Sequence, residues 1–322
     1  MRILLVRDNT YRPPVTQGSG KMISDEPSGS SGHQLDLLAK GLAEKGHEVF
    51  YHIRHTKETI APNGIQLVYK PIENMDIVHF KVLMNKRLYD FYKARKTPML
   101  ATNHGYWPGV FKGCPWVSVS KTHAHSLKQK LYVWNGLDPD NFIYSDQKQD
   151  YYLFIAHIKD YLGKGLMIAL KLAQQRNLKL IVAGSSKRQY DIDNVQALCD
   201  EYRATYVGDV RGIQKSRLFA GAKALISPSQ LPETFGITLT EALFSGTPVI
   251  CSNKGAYGEI MTKEVAFVCK DEADYHYAID NIENIDSETC RDYAMNNFHY
   301  RIMTEKYLEI YEETLARKAQ HA

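Results

Sequence analysis

Twice along the chain, short apolar runs alternate with stretches of helical periodicity, and this pattern limits the fold more than any other feature. The first series reads "RILLV" (2–6), "HEVFYHI" (47–53), "IQLVYK" (65–70), "DIVHFK" (76–81), "PMLAT" (98–102) and "WVSVS" (116–120). The second reads "YYLFIAHI" (151–158), "LKLIVAG" (178–184), "ATYVG" (204–208), "AKALISPS" (222–229), "TPVICS" (247–252) and "VAFVC" (265–269). Several runs are apolar without alternation, as parallel strands covered on both faces require. Helical patterns intervene at 31–46, 164–176, 212–222 and 235–245. In the first of these, Leu35, Leu38, Ala39 and Leu42 share one face, and Gly46 ends it. The expectation is α/β: parallel sheets joined by right-handed crossovers.

The alternation pauses at the polar, turn-rich "NGLDPDNFIYSDQKQD" (135–150) and then restarts, which predicts a linker between two Rossmann-like domains. A terminal helical run at 297–320 carries Met303, Tyr307, Ile310 and Tyr311 along one stripe, with no strand after it. That stripe needs a host already built, and its expected place is the first domain. The expected domains are therefore 1–143 together with 299–322, and 144–298. A chain crossing twice between domains would form a two-strand hinge.

Forty Lys+Arg against 36 Asp+Glu leave a net charge of +4, too mild to argue for nucleic acid. Five scattered cysteines without CxxC spacing read as reduced thiols of a cytoplasmic protein. The N-terminus reads as a strand, not a leader, and no stretch has the apolar length of a membrane span. The basic "NKRLYDFYKARK" (85–96) leaves peripheral contact with a membrane face open, although its aromatics fit better against a core.

Open α/β sheets bind ligands beyond the carboxyl ends of their strands, so residues that follow strands deserve the closest reading. After 222–229 comes "LPETFGITLTEALFSGTPVIC" (231–251). Phe235-Gly236-Ile237 opens a helix whose free N–H groups suit a diphosphate. Glu233 stands just before that helix, and Glu241 lies further along it, where a carboxylate can accept bonds from ribose hydroxyls. The competing reading makes Glu233 a helix-start charge and Glu241 a solvated helix residue.

Glu233 and Glu241 with their "PETFG" and "EALFSGTPVI" surroundings resemble the retaining glycosyltransferases of family four, which have the GT-B fold. "GHEV" (46–49), "NGLD" (135–138) and "GKG" (163–165) occur in the matching order and extend the resemblance over nearly the whole chain. The resemblance implies a nucleoside-diphosphate sugar on the second domain and a hydroxyl acceptor, a saccharide or lipid-linked saccharide, on the first. It implies Glu233 against the donor sugar and Phe235, Gly236 and Ile237 on sugar and diphosphate. Glu241 falls on the ribose and Lys164 on the diphosphate, where charge grows as the glycosidic bond breaks. As an alternative, Lys164 is a solvated helix start. No metal and no cofactor is implied.

The family's Gly-Arg after the first strand of the second domain is replaced here by Ala156-His157. His157 or Lys159 would have to substitute, without arginine's fixed charge and planar fork. In the first domain, "MLATNHGYWPG" (99–109) places His104 where the family has a histidine facing the donor, able to hydrogen-bond a hydroxyl or shuttle a proton. A structural histidine is the alternative, and His33, His123 and His125 are further candidates. Gly29-Ser30, in the long Gly/Ser-rich loop 16–32, stand where the family has glycines near the phosphates. Asp191-Ile-Asp193 and Asp138-Pro-Asp140 superficially match a metal-binding Asp-x-Asp but read as capping and turn residues. Uridine is the favoured base, with guanosine as the other option. A nucleotide-sugar epimerase and a catalytically silent sugar-nucleotide binder are the alternative functions.

Overall fold

The computed structural model describes residues 1–7, 15–17, 21–23, 31–53, 64–81, 85–106 and 114–320. Gly29 and Ser30 lie outside the described residues. Two compact units emerge: Met1–Asp138 with Phe298–Ala322, and Pro139–Asn297.

The first unit begins with β1 (Arg2–Val6), a hairpin of β2 (Val15–Gln17) and β3 (Lys21–Ile23), and helix α1 (Ser31–Glu44). It continues through β4 (Glu48–His52), β5 (Gln66–Val68), β6 (Ile77–Phe80) and α2 (Lys86–Ala94). β7 (Met99–Asn103), β8 (Trp116–Ser118), α3 (Lys121–Ser126) and β9 (Leu131–Tyr132) complete it. Its sheet has seven strands in the order β5-β4-β1-β6-β7-β8-β9, all pairs parallel. The apolar runs become strands for the expected reason: β6 is buried at every residue. On α2 the aromatics Tyr89 and Tyr92 are buried, while its basic residues face outward together with Asp90.

The second unit runs β10 (Tyr152–Ile155), α4 (Leu166–Arg176), β11 (Leu180–Ala183), α5 (Gln189–Glu201) and β12 (Thr205–Tyr206). Then come α6 (Gly212–Gly221), β13 (Ala224–Ser227), α7 (Ile237–Phe244), β14 (Val249–Ser252) and α8 (Tyr257–Ile260). β15 (Ala266–Cys269), α9 (Glu272–Asn281) and α10 (Ser287–Phe298) follow. Its parallel sheet has the order β12-β11-β10-β13-β14-β15. The chain builds outward from β10 in one direction and then restarts beside it at β13 in the other. This reversal is the place where adjacent carboxyl-end loops part and open a site.

The terminal run is two helices, not one. α10 stops at Phe298, and α11 (Tyr300–Gln320) starts after His299. Leu137 breaks the run: its N–H donates to the Phe298 carbonyl at 2.7 Å, and its carbonyl accepts from Tyr300 N–H at 2.9 Å. Gly136 permits this approach, since a Cβ there would sit 2.5 Å from the Tyr300 Cα. Asp138 meanwhile pairs with Lys40 at 2.6 Å, so "NGLD" works here as a clamp. α11 packs its Tyr300, Met303, Tyr307, Ile310 and Tyr311 into the core of the first unit.

That packing carries a buried polar network. His79 Nδ1 lies 2.7 Å from the Tyr311 hydroxyl and its Nε2 2.7 Å from Thr102 Oγ1, which also meets the Tyr307 hydroxyl at 2.7 Å. Burial pushes the His79 imidazole down to about 3, so the ring is neutral and donates through one nitrogen while accepting at the other.

Candidate functional site

The loops after β10 and β13 bring Lys164 and Glu233 together, although 69 positions separate them. β10 and β13 are paired neighbours at the reversal of strand order, which is why their following loops meet. Lys164 Nζ donates to Glu233 Oε1 at 2.7 Å, and Ser229 Oγ donates to the same oxygen at 2.7 Å. The two side chains are 27% and 16% exposed, so the pair is partly withdrawn from water yet reachable. Gly165 makes the approach feasible: its φ is +84°, and a Cβ there would collide with the Pro228 carbonyl. The sequence reading gave Lys164 to a diphosphate and Glu233 to a sugar; the structure joins them in one ion pair.

α7 starts at Ile237 with Gly236 as its N-cap, and no side chain caps it. A cap without a side chain leaves first-turn N–H groups able to meet an anion. Phe235, 2% exposed, anchors the turn from inside.

Glu241 is the fifth residue of α7 and has no exposed surface, which rules out the solvated alternative. Its Oε2 accepts from Lys215 Nζ at 2.6 Å, and the Lys215 side chain is 13% exposed. A buried carboxylate needs such a partner, because desolvation of an isolated charge is costly. Lys215 was not singled out in the sequence. The available signal was a lysine on α6 among residues such as Ser216 and Phe219, both buried, one helix before a buried glutamate.

His157 and Lys159 are exposed beside the start of this loop. Asp191 sits in the first turn of α5 and takes Arg188 through both oxygens, at 2.8 and 2.7 Å, while Asp193 accepts from Gln189. Both therefore brace the first turns of α5 through side-chain bonds, although neither caps it: the N-cap is Arg188, with no side-chain cap bond. Among the described residues no group of three or more His, Cys, Asp or Glu side chains is placed to hold a metal.

In the first unit, His104 follows β7. The residue is half-buried with both ring nitrogens shut off from solvent, and lost solvation pushes its pKa down to about 3, with Lys81 and His123 adding to the effect and a bond to Asn135 opposing it. His123 is structural: its Nδ1 accepts from Val119 N–H at 3.3 Å, so Nε2–H donates to the Gly105 carbonyl at 3.0 Å. It thereby fixes the turn that carries His104. His33 is buried and His125 exposed.

No helix of the described residues is long and apolar enough to cross a membrane. The profile of the family "Glycosyl transferases group 1" matches residues 140–299. The O-antigen chain mannosyltransferase RfbU of Salmonella typhimurium is 26% identical over 185 residues, covering 56% of this chain and 51% of that protein. An uncharacterised glycosyltransferase of Methanocaldococcus jannaschii is 27% identical over 188 residues, 48% of this chain and 46% of that one. The chain thus spans about half the length of these relatives. AviGT4, a glycosyltransferase involved in avilamycin A biosynthesis, superposes with a TM-score of 0.73 at 22% identity over 98% of both chains. HepE of Anabaena, solved with UDP and glucose, superposes with a TM-score of 0.69 at 13% identity over 96% of this chain and 98% of its own. Residues 140–299 thus match the glycosyl transferases group 1 family, on a chain with the GT-B fold.

Proposed function

We propose that the protein transfers a sugar from a nucleoside diphosphate to a hydroxyl acceptor, a saccharide or lipid-linked saccharide, with retention at the anomeric carbon. The observation that carries this reading is the Lys164–Glu233 pair at the reversal of strand order, beside the uncapped start of α7. The names of the relatives support sugar transfer, and the neighbour solved with UDP and glucose supports a uridine donor, with guanosine as the other option.

In this reading the diphosphate lies at Gly236 and Ile237, and Lys164 offsets the charge that grows on it as the glycosidic bond breaks. Glu233 is released from Lys164 as the phosphate takes the ammonium, and accepts hydrogen bonds from the sugar. His157 and Lys159 supply secondary donors where the family arginine is missing. Lysine, backbone dipoles and no metal provide the positive field. His104, with its pKa near 3, stays neutral at pH 7 and suits a hydrogen bond to a hydroxyl better than a proton shuttle, which needs a pKa near the working pH. The leaving phosphate then takes the acceptor proton on the same face. Glu241 has no exposed surface, so its ribose role rests on the resemblance, while the geometry favours a bracing role with Lys215.

The test is a panel of UDP-, GDP- and ADP-sugars incubated with and without a mixed saccharide pool, reading nucleoside diphosphate release and the anomeric configuration of any product. Acceptor-stimulated release with a retained anomer supports the reading. An isomerised donor without acceptor means an epimerase, and donor binding without turnover means a silent binder.

A further inference from the structure

A cavity of about 470 Å³ lies in the second unit between one face of α4 and the carboxyl ends of β14 and β15. Lys164 and Glu233 are not among its lining residues. Three lysines from three separate elements line it: Lys171 on α4, Lys254 after β14 and Lys270 after β15. All three are exposed, and among the described residues none has a carboxylate at ion-pair distance. Two acids also reach the cavity, but each is engaged in holding α9. Asp271 Oδ1 accepts from Asp274 N–H at 3.0 Å, and Glu272 Oε1 accepts from Gln175 Nε2 at 3.0 Å. Ile168, Leu172 and Tyr275 supply an apolar wall.

Three lysines against Asp271 and Glu272 leave the lining net positive, and a positive concave surface favours an anion. An apolar wall beside them adds affinity for a ligand that is more than a bare ion. We infer that this cavity binds a small anionic molecule carrying one phosphate-like group on an apolar or ring-shaped body. The lysines hold the anion and the wall of Ile168, Leu172 and Tyr275 holds the body.

Phenyl phosphate is the probe, titrated calorimetrically into the full chain beside inorganic phosphate and phenol. Saturable binding of phenyl phosphate is expected, at least tenfold tighter than either fragment. The exposed pair Lys171→Ala and Lys270→Ala, combined in one variant, should weaken it tenfold or more, and Lys254→Glu alone should also weaken it. Lys164→Ala should leave it unchanged, which separates this cavity from the Lys164–Glu233 site. No saturable binding at millimolar probe, or affinity kept without Lys171 and Lys270, overturns the inference. Affinity lost with Lys164 instead also overturns it, and equal binding of inorganic phosphate overturns the part assigned to the apolar wall.

Discussion

Both α/β units hold partly buried ion pairs, Arg7–Asp36 and Lys40–Asp138 among those of the first, but they differ in what else they bury. The first holds a neutral network, His79 with Thr102, Tyr307 and Tyr311, sealed in the core. The second holds charged pairs, Lys215–Glu241 and Lys164–Glu233, beside the reversal of its strand order. A neutral network that satisfies every member rigidifies a core at modest cost, and it ties α11 to the sheet. A desolvated ion pair adds little net stability for its cost, so its retention calls for another reason. For Lys164–Glu233 the proposed reason is a ligand that exchanges with Lys164, and for Lys215–Glu241 it is the bracing of α6 against α7.

The sharpest way to break this contrast is Glu241→Ala. It leaves the Lys215 ammonium without its carboxylate and should cost about 3–5 kcal/mol of stability, read by denaturant unfolding. Replacing both partners, Lys215→Met with Glu241→Leu, should recover most of that loss. If the single variant is as stable as the parent, the pair is not the brace proposed.

Next in size is Lys164→Ala, expected to lower turnover about 10²–10³-fold, roughly 3–4 kcal/mol of transition-state stabilisation. Its melting temperature should barely move, because the pair is partly exposed and worth little to the fold. A large stability loss with turnover intact would place this pair with the structural ones.

His79→Leu probes the other side of the contrast. It orphans the Tyr311 hydroxyl and one bond of Thr102, for roughly 2–4 kcal/mol of stability. The parent should also lose stability in acid. The folded ring titrates near 3 and the unfolded one near 6.5, so between those values the unfolded chain binds the extra proton. Stability contributed by His79 is thus complete above pH 6.5 and falls as pH drops, by roughly 2 kcal/mol at pH 5. Urea midpoints at pH 7 and pH 5 measure this, and the pH-dependent loss should shrink in His79→Leu. An equal loss in both proteins would assign the acid sensitivity elsewhere.

The smallest expected effect is that of chelation. EDTA should leave turnover unchanged, since the proposed field on the diphosphate comes from Lys164 and α7. Activity abolished by EDTA and restored by magnesium or manganese would refute this.

Much of the fold was legible because strand and helix patterns are local. Ile77 and Val78 of β6 point to opposite faces and are both apolar because both faces of their sheet are covered, and that shows in the residues themselves. The start of α7 was legible for the same reason: Gly236 marks a turn that only a local backbone conformation explains. The break at His299 falls where the expected boundary between 298 and 299 lies, but its cause was not legible, because nothing in the run 297–320 records that Leu137 will bond across it. The two acids of 231–251 stood out by spacing, but their partners did not.

The sequence by itself determined two series of strands and helices, where the series restart, and which residues follow each strand, since periodicity and turn chemistry act over a few residues. Only the tertiary structure decided that Lys164 meets Glu233, that Lys215 rather than solvent meets Glu241, and that His79 meets Tyr311 from 232 positions away. Those meetings depend on strand order and on where each crossover lands. A charge buried by that arrangement must find its counter-charge in space, and spatial neighbours are not written as neighbours in the chain.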